Sequence, residues 1–534
     1  MGTYINLSIL PSSISNLEWE QVYEESLKLV NAFPFVDVNE REFFGYELPV
    51  YVKAVEKIDP ERHWAIRGDF KSKRFAENFK LYRNISHYQS AQLESRQKEI
   101  LIEEDQLKID VFSSKTQGYD YHLYILAIGM LIESRLTNKA LVSGNIDYDQ
   151  CVKAKQLADQ FLSSPIEISV RVDVDKLLSR TAHFNNEMEQ VQFINKWMIA
   201  DQEEKFKMIY SRFSRKTFLD WFSNELKAYS SPNQLGALKL LIYFINTTTD
   251  LNDLLDIICR SKNELQFSDS EVIRAIAHTW VCLPREKFSF LDLFAKASGH
   301  PEIVERQFGS VMLDMMFAGR EIKTYIPLTD AVKILGEYLP DSAIAIDSLL
   351  KQELSGIEEQ LFAFDNQIRP ALEISEASTE DKMYLADEEA FLYFDSDTIV
   401  LTDEQELTLK AIAYSIKTFL NREGEGALKE FLSVPLAKLK LVLAAFVKEK
   451  YSMILTEEAW QWIDMADDPL LVKVLLAKLI IDDANDLKHV KSHSDVRTAL
   501  FENKLITQRI ADYMGNRIVM EDIGKLVKES DELL

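Results

Sequence analysis

Glycine and proline are both scarce in this sequence. Its 534 residues include 16 glycines and 13 prolines, whereas globular proteins contain about 7% glycine and about 5% proline. Both residues interrupt regular secondary structure, so their scarcity favours long elements, helices in particular, over a fold rich in turns. A hydrophobic fraction of 47% and a charged fraction of 28% are typical of a folded globular chain.

Cysteine is rarer still, with Cys151, Cys259 and Cys282 as the three examples. This odd and sparse set cannot form the disulfide framework of a small secreted domain. The N-terminus lacks the basic and apolar regions of a secretory signal. The most apolar run, residues 123–132, is far shorter than the roughly 20 residues that span a bilayer. These absences predict a cytoplasmic protein that does not associate with membranes.

The compact motifs of nucleotide-binding and hydrolytic enzymes are missing. The chain contains no Gly-x-Gly-x-x-Gly pattern, no phosphate-binding loop and no Gly-x-Ser-x-Gly elbow, each of which positions a ligand or nucleophile at a turn before a helix. Gly424 and Gly426 follow a helical pattern and indicate where that helix ends. We therefore expect no cofactor, and any active site would combine residues distant in sequence.

The acidic residues do not form a complete calcium-binding loop. Four carboxylates match positions 1, 3, 9 and 12 of an EF-hand frame: Asp395, Asp397, Asp403 and Glu406. An EF-hand also requires an oxygen ligand at position 5 and a glycine at position 6. Ile399 and Val400 occupy those two positions, so we interpret the segment as a solvated acidic loop.

Two pairs of possible transition-metal ligands are four residues apart. His489 and His493 could share a helical face, but Ser492 indicates a helix break between them, and no glutamate completes the zinc-protease pattern. His278 and Cys282 have the same spacing, with His278 opposite the apolar side of its helix. We interpret the histidines of both pairs as surface residues and predict no metal site.

Basic residues are outnumbered, with 61 Lys and Arg against 86 Asp and Glu and a net charge of −25. Nucleic-acid binding requires clustered cations, so this balance argues against it. The densest basic cluster consists of Lys71, Lys73, Arg74 and Lys80. The spacing of Phe75, Phe79 and Tyr82 predicts that this region is an amphipathic helix with its charged face in water.

Acidic residues outnumber basic residues in this sequence, and most of the acidic excess lies in one stretch. Residues 341–410 contain eighteen Asp or Glu against four Lys or Arg, a balance of −14. Residues 411–534 carry 20 acids and 17 bases and are nearly neutral. Such a density of like charge stays solvated or attracts a basic partner. We predict a linker or insert at its centre, residues 366–403, which we name the acidic segment.

The carboxylates of the acidic segment are the candidates for contact with a basic partner. They are Glu373, Glu376, Glu380, Asp381, Asp387, Glu388, Glu389, Asp395, Asp397 and Asp403. Arg369 and Lys382 are the bases in the same segment.

Residues 1–185 are predicted to form a mixed α+β domain. The alternation of Ile5, Leu7 and Ile9 is typical of a strand, and apolar periodicity predicts helices over residues 17–33 and 121–136. Further strands are predicted over residues 35–38, 48–55, 63–70, 139–146 and 166–172, which are rich in β-branched and aromatic side chains. Their alternation with helices indicates an α+β or small α/β layer.

Residues 186–365 and 404–534 are predicted to form two helical domains. Three local motifs indicate helix starts: capping boxes at Ser268-x-x-Glu271 and Thr402-x-x-Gln405, and the Asp468-Pro469 pair. Central helices are predicted over residues 235–244, 251–259, 272–281, 288–297 and 303–317. Short connections favour antiparallel hairpins and bundles. The predicted fold class is mainly α with an N-terminal α+β domain.

A dispersed active site is best placed at His63, Arg67 and Asp69. Strand alternation would put these three side chains on one face, where an imidazole, a guanidinium and a carboxylate flank the permissive Gly68 at a strand end. A strand face turned to solvent would show the same polar pattern, so the alternation does not choose between the two.

We expect the protein to bind another macromolecule through helical surfaces and the acidic segment. An adaptor, an inhibitor, or an immunity-type protein that masks a basic surface would fit. The partner would be a protein with a basic surface, and the sequence leaves the oligomeric state open. An enzyme with a dispersed site in the N-terminal domain and an α-solenoid scaffold with a peptide groove are the alternatives.

Overall fold

The computed structural model describes residues 3–56, 59–92, 108–181, 184–260, 265, 267–284, 287, 323–377, 401–422, 433–488 and 490–531. The helices predicted over 288–297 and 303–317 lie outside these residues. Most of the acidic segment, residues 378–400, also lies outside them.

Two sheets form the N-terminal part of the structure. The strands are β1 (Tyr4–Ile9), β2 (Phe35–Phe43), β3 (Tyr46–Lys53), β4 (His63–Asp69), β5 (Arg74–Tyr82), β6 (Ile109–Lys115), β7 (Ala140–Gly144) and β8 (Leu455–Thr456). One sheet has the order β6–β1–β7, and the other has the order β5–β4–β2–β3–β8. The strands predicted near residues 4–10, 35–38, 48–55, 63–70 and 139–146 are therefore confirmed.

Five helices accompany these strands: α1 (Asn16–Ala32), α2 (Ser86–Gln92), α3 (Tyr121–Arg135), α4 (Tyr148–Asp159) and α5 (Val174–Ser179). Helix α1 begins with a capping box, in which Glu18 accepts the Ser15 backbone N–H at 2.9 Å. Helix α3 is apolar on every side, and Ile125, Leu126 and Met130 are fully buried. A helix of this composition is stable where other elements surround it.

The five-stranded sheet, which we name the N-terminal sheet, is completed by strand β8 from the C-terminal part of the sequence. Strand β8 pairs in parallel with β3, with Val50 opposite Leu455 and Tyr51 opposite Thr456. Leu48, Val50 and Val52 of β3 belong to the same apolar core as the C-terminal helices. The first and last parts of the chain therefore share one core, although about 400 residues separate them in sequence.

The helix predicted around Phe75, Phe79 and Tyr82 is wrong, because these residues form strand β5. Phe79 and Leu81 are fully buried while Ala76, Lys80 and Tyr82 are not, which is the period of two of a strand. Spacings of four and three residues also fit helical periodicity, so three aromatic positions could not separate the two structures. Pairing with β4 decides the conformation.

The strand predicted over residues 166–172 is also wrong. This segment is irregular and ends in a short 3₁₀ turn, Val170–Val172. The Ile166 backbone N–H donates to the Asp159 carboxylate at 2.8 Å, and the Lys155 ammonium donates to the Ile166 carbonyl oxygen. Side chains thus satisfy backbone groups that would otherwise join a sheet.

The central part is helical. Its helices are α6 (Glu187–Trp197), α7 (Gln202–Arg212), α8 (Arg215–Leu226), α9 (Leu235–Thr248), α10 (Leu251–Leu255), α11 (Asp269–His278), α12 (Leu328–Tyr338) and α13 (Ala343–Ala377). The capping box predicted at the start of α11 is confirmed, since Ser268 and Glu271 each accept the other's backbone N–H. Apolar side chains of all these helices contribute to one continuous core that extends to Leu361.

Helix α13 is 35 residues long and crosses the boundary predicted at residue 365. Its buried stripe consists of Ile346, Leu350, Leu354, Ile357 and Leu361. The first twelve residues of the acidic segment, 366–377, continue the helix. Alanine, leucine and glutamate are strong helix formers, and their abundance after Pro370 explains why the helix extends further than the polar composition indicated.

The C-terminal helices are α14 (Asp403–Arg422), α15 (Leu436–Ala445), α16 (Glu457–Met465), α17 (Pro469–Ala484), α18 (Lys491–Glu502), α19 (Lys504–Gly515) and α20 (Arg517–Asp531). The helix starts predicted at Thr402 and Asp468 are confirmed. Thr402 and Gln405 accept each other's backbone N–H groups at 3.2 and 2.9 Å. The Asp468 carboxylate accepts the Leu470 N–H at 2.8 Å.

A mainly helical fold with an N-terminal region of mixed helices and strands is therefore confirmed. Among the described helices, none has the length and the apolar composition that crossing a bilayer requires.

Candidate functional site

His63, Arg67 and Asp69 lie on strand β4, but their side chains have separate partners. The pairing of β4 with β5 shifts register between Ile66 and Gly68, and such a bulge reorients the end of a strand. The Arg67 Nε lies 3.4 Å from an oxygen of Asp37 and its side chain is 46% exposed. Asp69 is fully buried, so the simple alternation that placed all three on one face does not hold.

Asp69 organises the turn between β4 and β5. Its carboxylate accepts the Ser72 backbone N–H at 2.6 Å and the Ser72 hydroxyl. Burial raises the pKa of Asp69 above its usual range despite these hydrogen bonds. The backbones of β4 and β5 lie so close together at Gly68 that a β-carbon there would be 1.9 Å from the Arg74 carbonyl oxygen. This geometry explains Gly68 and Asp69 as parts of a tight hairpin.

His63 lies on the outer side of the same hairpin. Its ring centroid is 5.6 Å from that of Tyr82, and Tyr82 is stacked on His87 at 3.6 Å. Burial and the nearby Lys80 ammonium lower the pKa of His63. The lowered pKa favours the neutral imidazole, and the ring lies tilted against that of Tyr82.

The basic residues that are clustered in sequence, Lys71, Lys73, Arg74 and Lys80, lie in the β4–β5 hairpin, where the last three contact different neighbours. The Lys80 ammonium lies 4.6 Å from the ring centroid of Tyr82, and that of Lys73 lies 5.5 Å from the centroid of Phe70. Arg74 turns in another direction and forms an ion pair with Asp495, whose side chain is 1% exposed. Arg74 thus connects the N-terminal sheet to helix α18.

The candidate partner-binding residues of the acidic segment fall into three groups. Glu373 and Glu376 lie on the last turns of helix α13. Asp403 is exposed and is the first residue of helix α14. The others lie outside the described residues: Glu380, Asp381, Asp387, Glu388, Glu389, Asp395 and Asp397. The structure thus brings the segment into the fold at two helix ends.

Upstream of the acidic segment, carboxylates of the acid-rich stretch pair with the protein's own cations. Glu353 of α13 lies 2.9 Å from Arg274 Nε and 3.3 Å from His278 Nε2 of α11. Burial by itself would raise the pKa of Glu353, but hydrogen bonds from Arg274 and His278 outweigh it and the pKa is lowered. This ion pair fixes α13 against α11.

Other acids of the stretch are paired in the same way. Asp347 lies 2.7 Å from the Lys351 ammonium, Glu358 lies 3.6 Å from that of Lys287, and Glu406 lies 3.3 Å from that of Lys410. The acid on both sides of the acidic segment is therefore partly neutralised within the molecule. Exposed pairs such as these stabilise weakly, by about 0.2–1 kcal/mol each.

A buried group of charged residues joins helices α17 and α18. We name Lys478, Asp482, His493 and Arg497 the charge cluster. The Asp482 carboxylate is fully buried and lies 2.6 Å from Lys478 Nζ, 2.6 Å from Arg497 Nη1 and 3.2 Å from His493 Nδ1. Burial by itself would raise the pKa of Asp482, but these partners outweigh it and the pKa is lowered.

His493, interpreted as a surface residue, is 25% exposed and also contacts the buried Asp482, while His489 lies outside the described residues. The sequence contains a signal for this arrangement. Helix α17 is apolar on almost every side, yet Lys478 and Asp482 occur four residues apart within it. Charged residues in a helix that must be buried require buried partners.

Two more buried titratable groups lie in the N-terminal part. Burial raises the pKa of Glu133 to about 7, and the nearby Ser169 and backbone groups of Val142 and Val170 offset this rise only in part. Burial lowers the pKa of His122 to about 4, and its Nδ1 lies 2.7 Å from the Thr116 hydroxyl. Strong pKa shifts of this kind occur at functional sites and in structural networks alike.

Within the part of the chain that the structure describes, no group of three or more His, Cys, Asp or Glu side chains is placed to hold a metal ion. No protein-family model matches the chain, and no match was found among curated proteins or among solved structures. The chain's own charges and geometry therefore carry the functional argument.

Proposed function

We propose that this protein binds a protein partner with a basic surface through the acidic segment. One observation carries the proposal: residues 366–403 hold ten carboxylates and two bases. Charge at this density attracts a cationic surface and accelerates its association at low ionic strength.

The two ends of the acidic segment support the proposal because each belongs to a helix with a buried face. Helix α13 is held by its apolar stripe and by the pair between Glu353 and Arg274. Helix α14 is fixed by the Thr402 capping box and by the buried side chains of Leu409 and Ile416. Anchors of this kind reduce the conformational entropy that binding must overcome.

An adaptor, an inhibitor or an immunity-type protein would use such a segment in the same way. The predicted antiparallel packing of the central and C-terminal helices is part of this proposal, since a bundle provides a rigid support on either side of the segment. We advance no catalytic function, because His63, Arg67 and Asp69 have separate partners.

The test compares the wild-type chain with a variant in which the ten carboxylates of the acidic segment are changed to Asn or Gln. Partners captured from a native lysate at low ionic strength would be purified and their affinities measured at low and high salt. We expect the wild type to lose affinity steeply as salt rises, and the variant to bind at least tenfold more weakly, about 1.4 kcal/mol.

A matched control neutralises exposed carboxylates elsewhere, such as Glu40, Glu42, Asp149, Asp467 and Asp512. This control should retain wild-type affinity, and cross-links from the partner should map to residues 373–403. Equal binding by the wild type and the ten-residue variant, or equal loss in the control, would rule out the acidic segment as the binding site.

A further inference from the structure

Helix α13 continues beyond the part of it that packs in the central core. It contacts helices α11 and α12, and its buried stripe reaches Leu361, the last of its side chains that the structure describes in that core. The backbone remains helical over residues 362–377, which we name the α13 extension. The helix continues through Pro370, although proline lacks the N–H that helical hydrogen bonding uses. At about 1.5 Å per residue, the α13 extension is roughly 24 Å long.

The sequence of the α13 extension repeats the apolar spacing of the buried stripe. Ile357 and Leu361 of that stripe are four residues apart. Phe364, Ile368 and Leu372 follow at intervals of three, four and four residues. Helical residues at these intervals lie along one face. A regular helix therefore places the three apolar positions of the α13 extension in line with the stripe that α11 and α12 cover.

Carboxylates accompany this apolar spacing. The α13 extension contains Asp365, Glu373 and Glu376 against the single base Arg369, and the acidic segment continues the negative charge beyond it. Apolar positions along one face of a helix can be buried by a second helix. Charged residues beside such a seam select a partner of the opposite sign. The chemistry that matches the α13 extension is therefore a helix whose apolar stripe is flanked by lysine and arginine.

From this placement we propose that the α13 extension is the docking surface for a basic amphipathic helix of the partner. The inference rests on the proposed function and specifies the kind of surface that the acidic segment attracts. The apolar face of the incoming helix packs along the positions of Phe364, Ile368 and Leu372, and its cations pair with the neighbouring carboxylates. Because α11 and α12 hold the first half of α13, the extension is already helical before binding, which lowers the entropic cost of association.

Two synthetic peptides, each added to the full chain, test the proposal. One carries leucine at helical intervals of three and four residues with lysine at the flanking positions. The other has the same composition in an order that forms no apolar stripe. We expect fluorescence anisotropy at low ionic strength to show at least about tenfold tighter binding of the amphipathic peptide. The bound amphipathic peptide should also slow hydrogen–deuterium exchange in residues 362–377 and leave exchange in helix α9 unchanged.

A double variant, Ile368→Gln with Leu372→Gln, removes two apolar positions of the α13 extension and substitutes a residue that favours helices. We expect it to bind the two peptides equally. Phe362→Gln is the matched control, because Phe362 is 68% exposed and lies about 100° around the helix from Leu361. This control should retain the tenfold preference for the amphipathic peptide.

The outcomes separate this inference from the proposed function. If the wild type binds both peptides equally and the variant with ten neutralised carboxylates binds neither, charge alone recruits the partner. The proposed function then stands, and the α13 extension is not the docking surface. Binding of neither peptide by the wild type overturns both proposals. A tenfold preference that persists in the double variant also overturns the docking surface.

Discussion

Single buried acids in this protein are accommodated in two opposite ways. Asp482 stays ionised because Lys478 and Arg497 donate to it at 2.6 Å each. Glu133 has weaker partners, so burial raises its pKa to about 7. A buried charge that is well paired supports the fold, whereas a poorly paired one becomes neutral instead.

Glu133 should make stability depend on pH. The pKa of Glu133 rises from 4.5 in the unfolded chain to about 7 in the fold, so the fold favours the protonated carboxyl. Its contribution to the free energy of unfolding is therefore complete below pH 4.5 and is lost as pH rises to 7. The loss is about 3 kcal/mol at 1.36 kcal/mol per pH unit. Glu133→Gln removes this loss, so its thermal midpoint should rise relative to wild type between pH 4.5 and 8.

Parallel melting curves of the two proteins across this range would measure the effect. A constant difference between wild type and Glu133→Gln at every pH would show that the carboxyl group keeps its ordinary pKa in the fold.

The cysteines should react with thiol reagents according to their burial. Burial raises the pKa values of Cys151 and Cys282 to about 12, so almost no thiolate is present at pH 8. In the native protein these two thiols should react far more slowly than Cys259, which is only partly buried. All three should react rapidly in denaturant, and rapid native labelling of Cys151 or Cys282 contradicts their burial.

Among the elements, helix starts were the most predictable from sequence. The caps at Ser268, Thr402 and Asp468 need only residues within three positions of one another, so the local sequence specifies them. Strand β5 was mistaken for a helix because its conformation depends on pairing with β4. Pairing across a hairpin is a tertiary feature that three aromatic positions cannot encode.

The turn between β4 and β5 provides a test at this scale. Gly68→Ala would place a β-carbon 1.9 Å from the Arg74 carbonyl oxygen. We therefore expect the free energy of unfolding to fall by more than about 3 kcal/mol, as for other large steric conflicts. Gly336→Ala is the matched control in helix α12, where a β-carbon meets no atom within 4 Å. It should stabilise by about 0.5–1 kcal/mol because alanine favours helices.

Soluble yield and urea midpoints would distinguish the two variants. If Gly68→Ala matches the wild type in both measurements, the β4–β5 turn has a different backbone course from the one described.

At the scale of the whole molecule, the N-terminal sheet depends on the C-terminal helices. Leu48, Val50 and Val52 of β3 are at most 6% exposed because they pack in the C-terminal core. Removing that core would uncover three side chains worth about 1.5–3 kcal/mol each. It would also expose the edge of β3 that β8 covers, and such an edge promotes aggregation.

A truncated chain of residues 1–365 should therefore aggregate or expose apolar surface, measured by dye binding and light scattering. Co-expression with residues 404–534 should restore a soluble complex of the two fragments. A monomeric 1–365 fragment with native-like spectra would show that the N-terminal sheet is stable without β8.

The sequence by itself determined the helical character of the chain, the helix starts at Ser268, Thr402 and Asp468, five of the strands, and the concentration of acid between residues 341 and 410. These features depend on composition and on neighbours within a few residues. Only the tertiary structure decided that His63, Arg67 and Asp69 have separate partners, that β8 joins β3, and that His493 meets Asp482. The physical reason is that these contacts join elements distant in sequence, whose relative positions depend on packing. The local sequence around a residue therefore does not specify which residue it contacts.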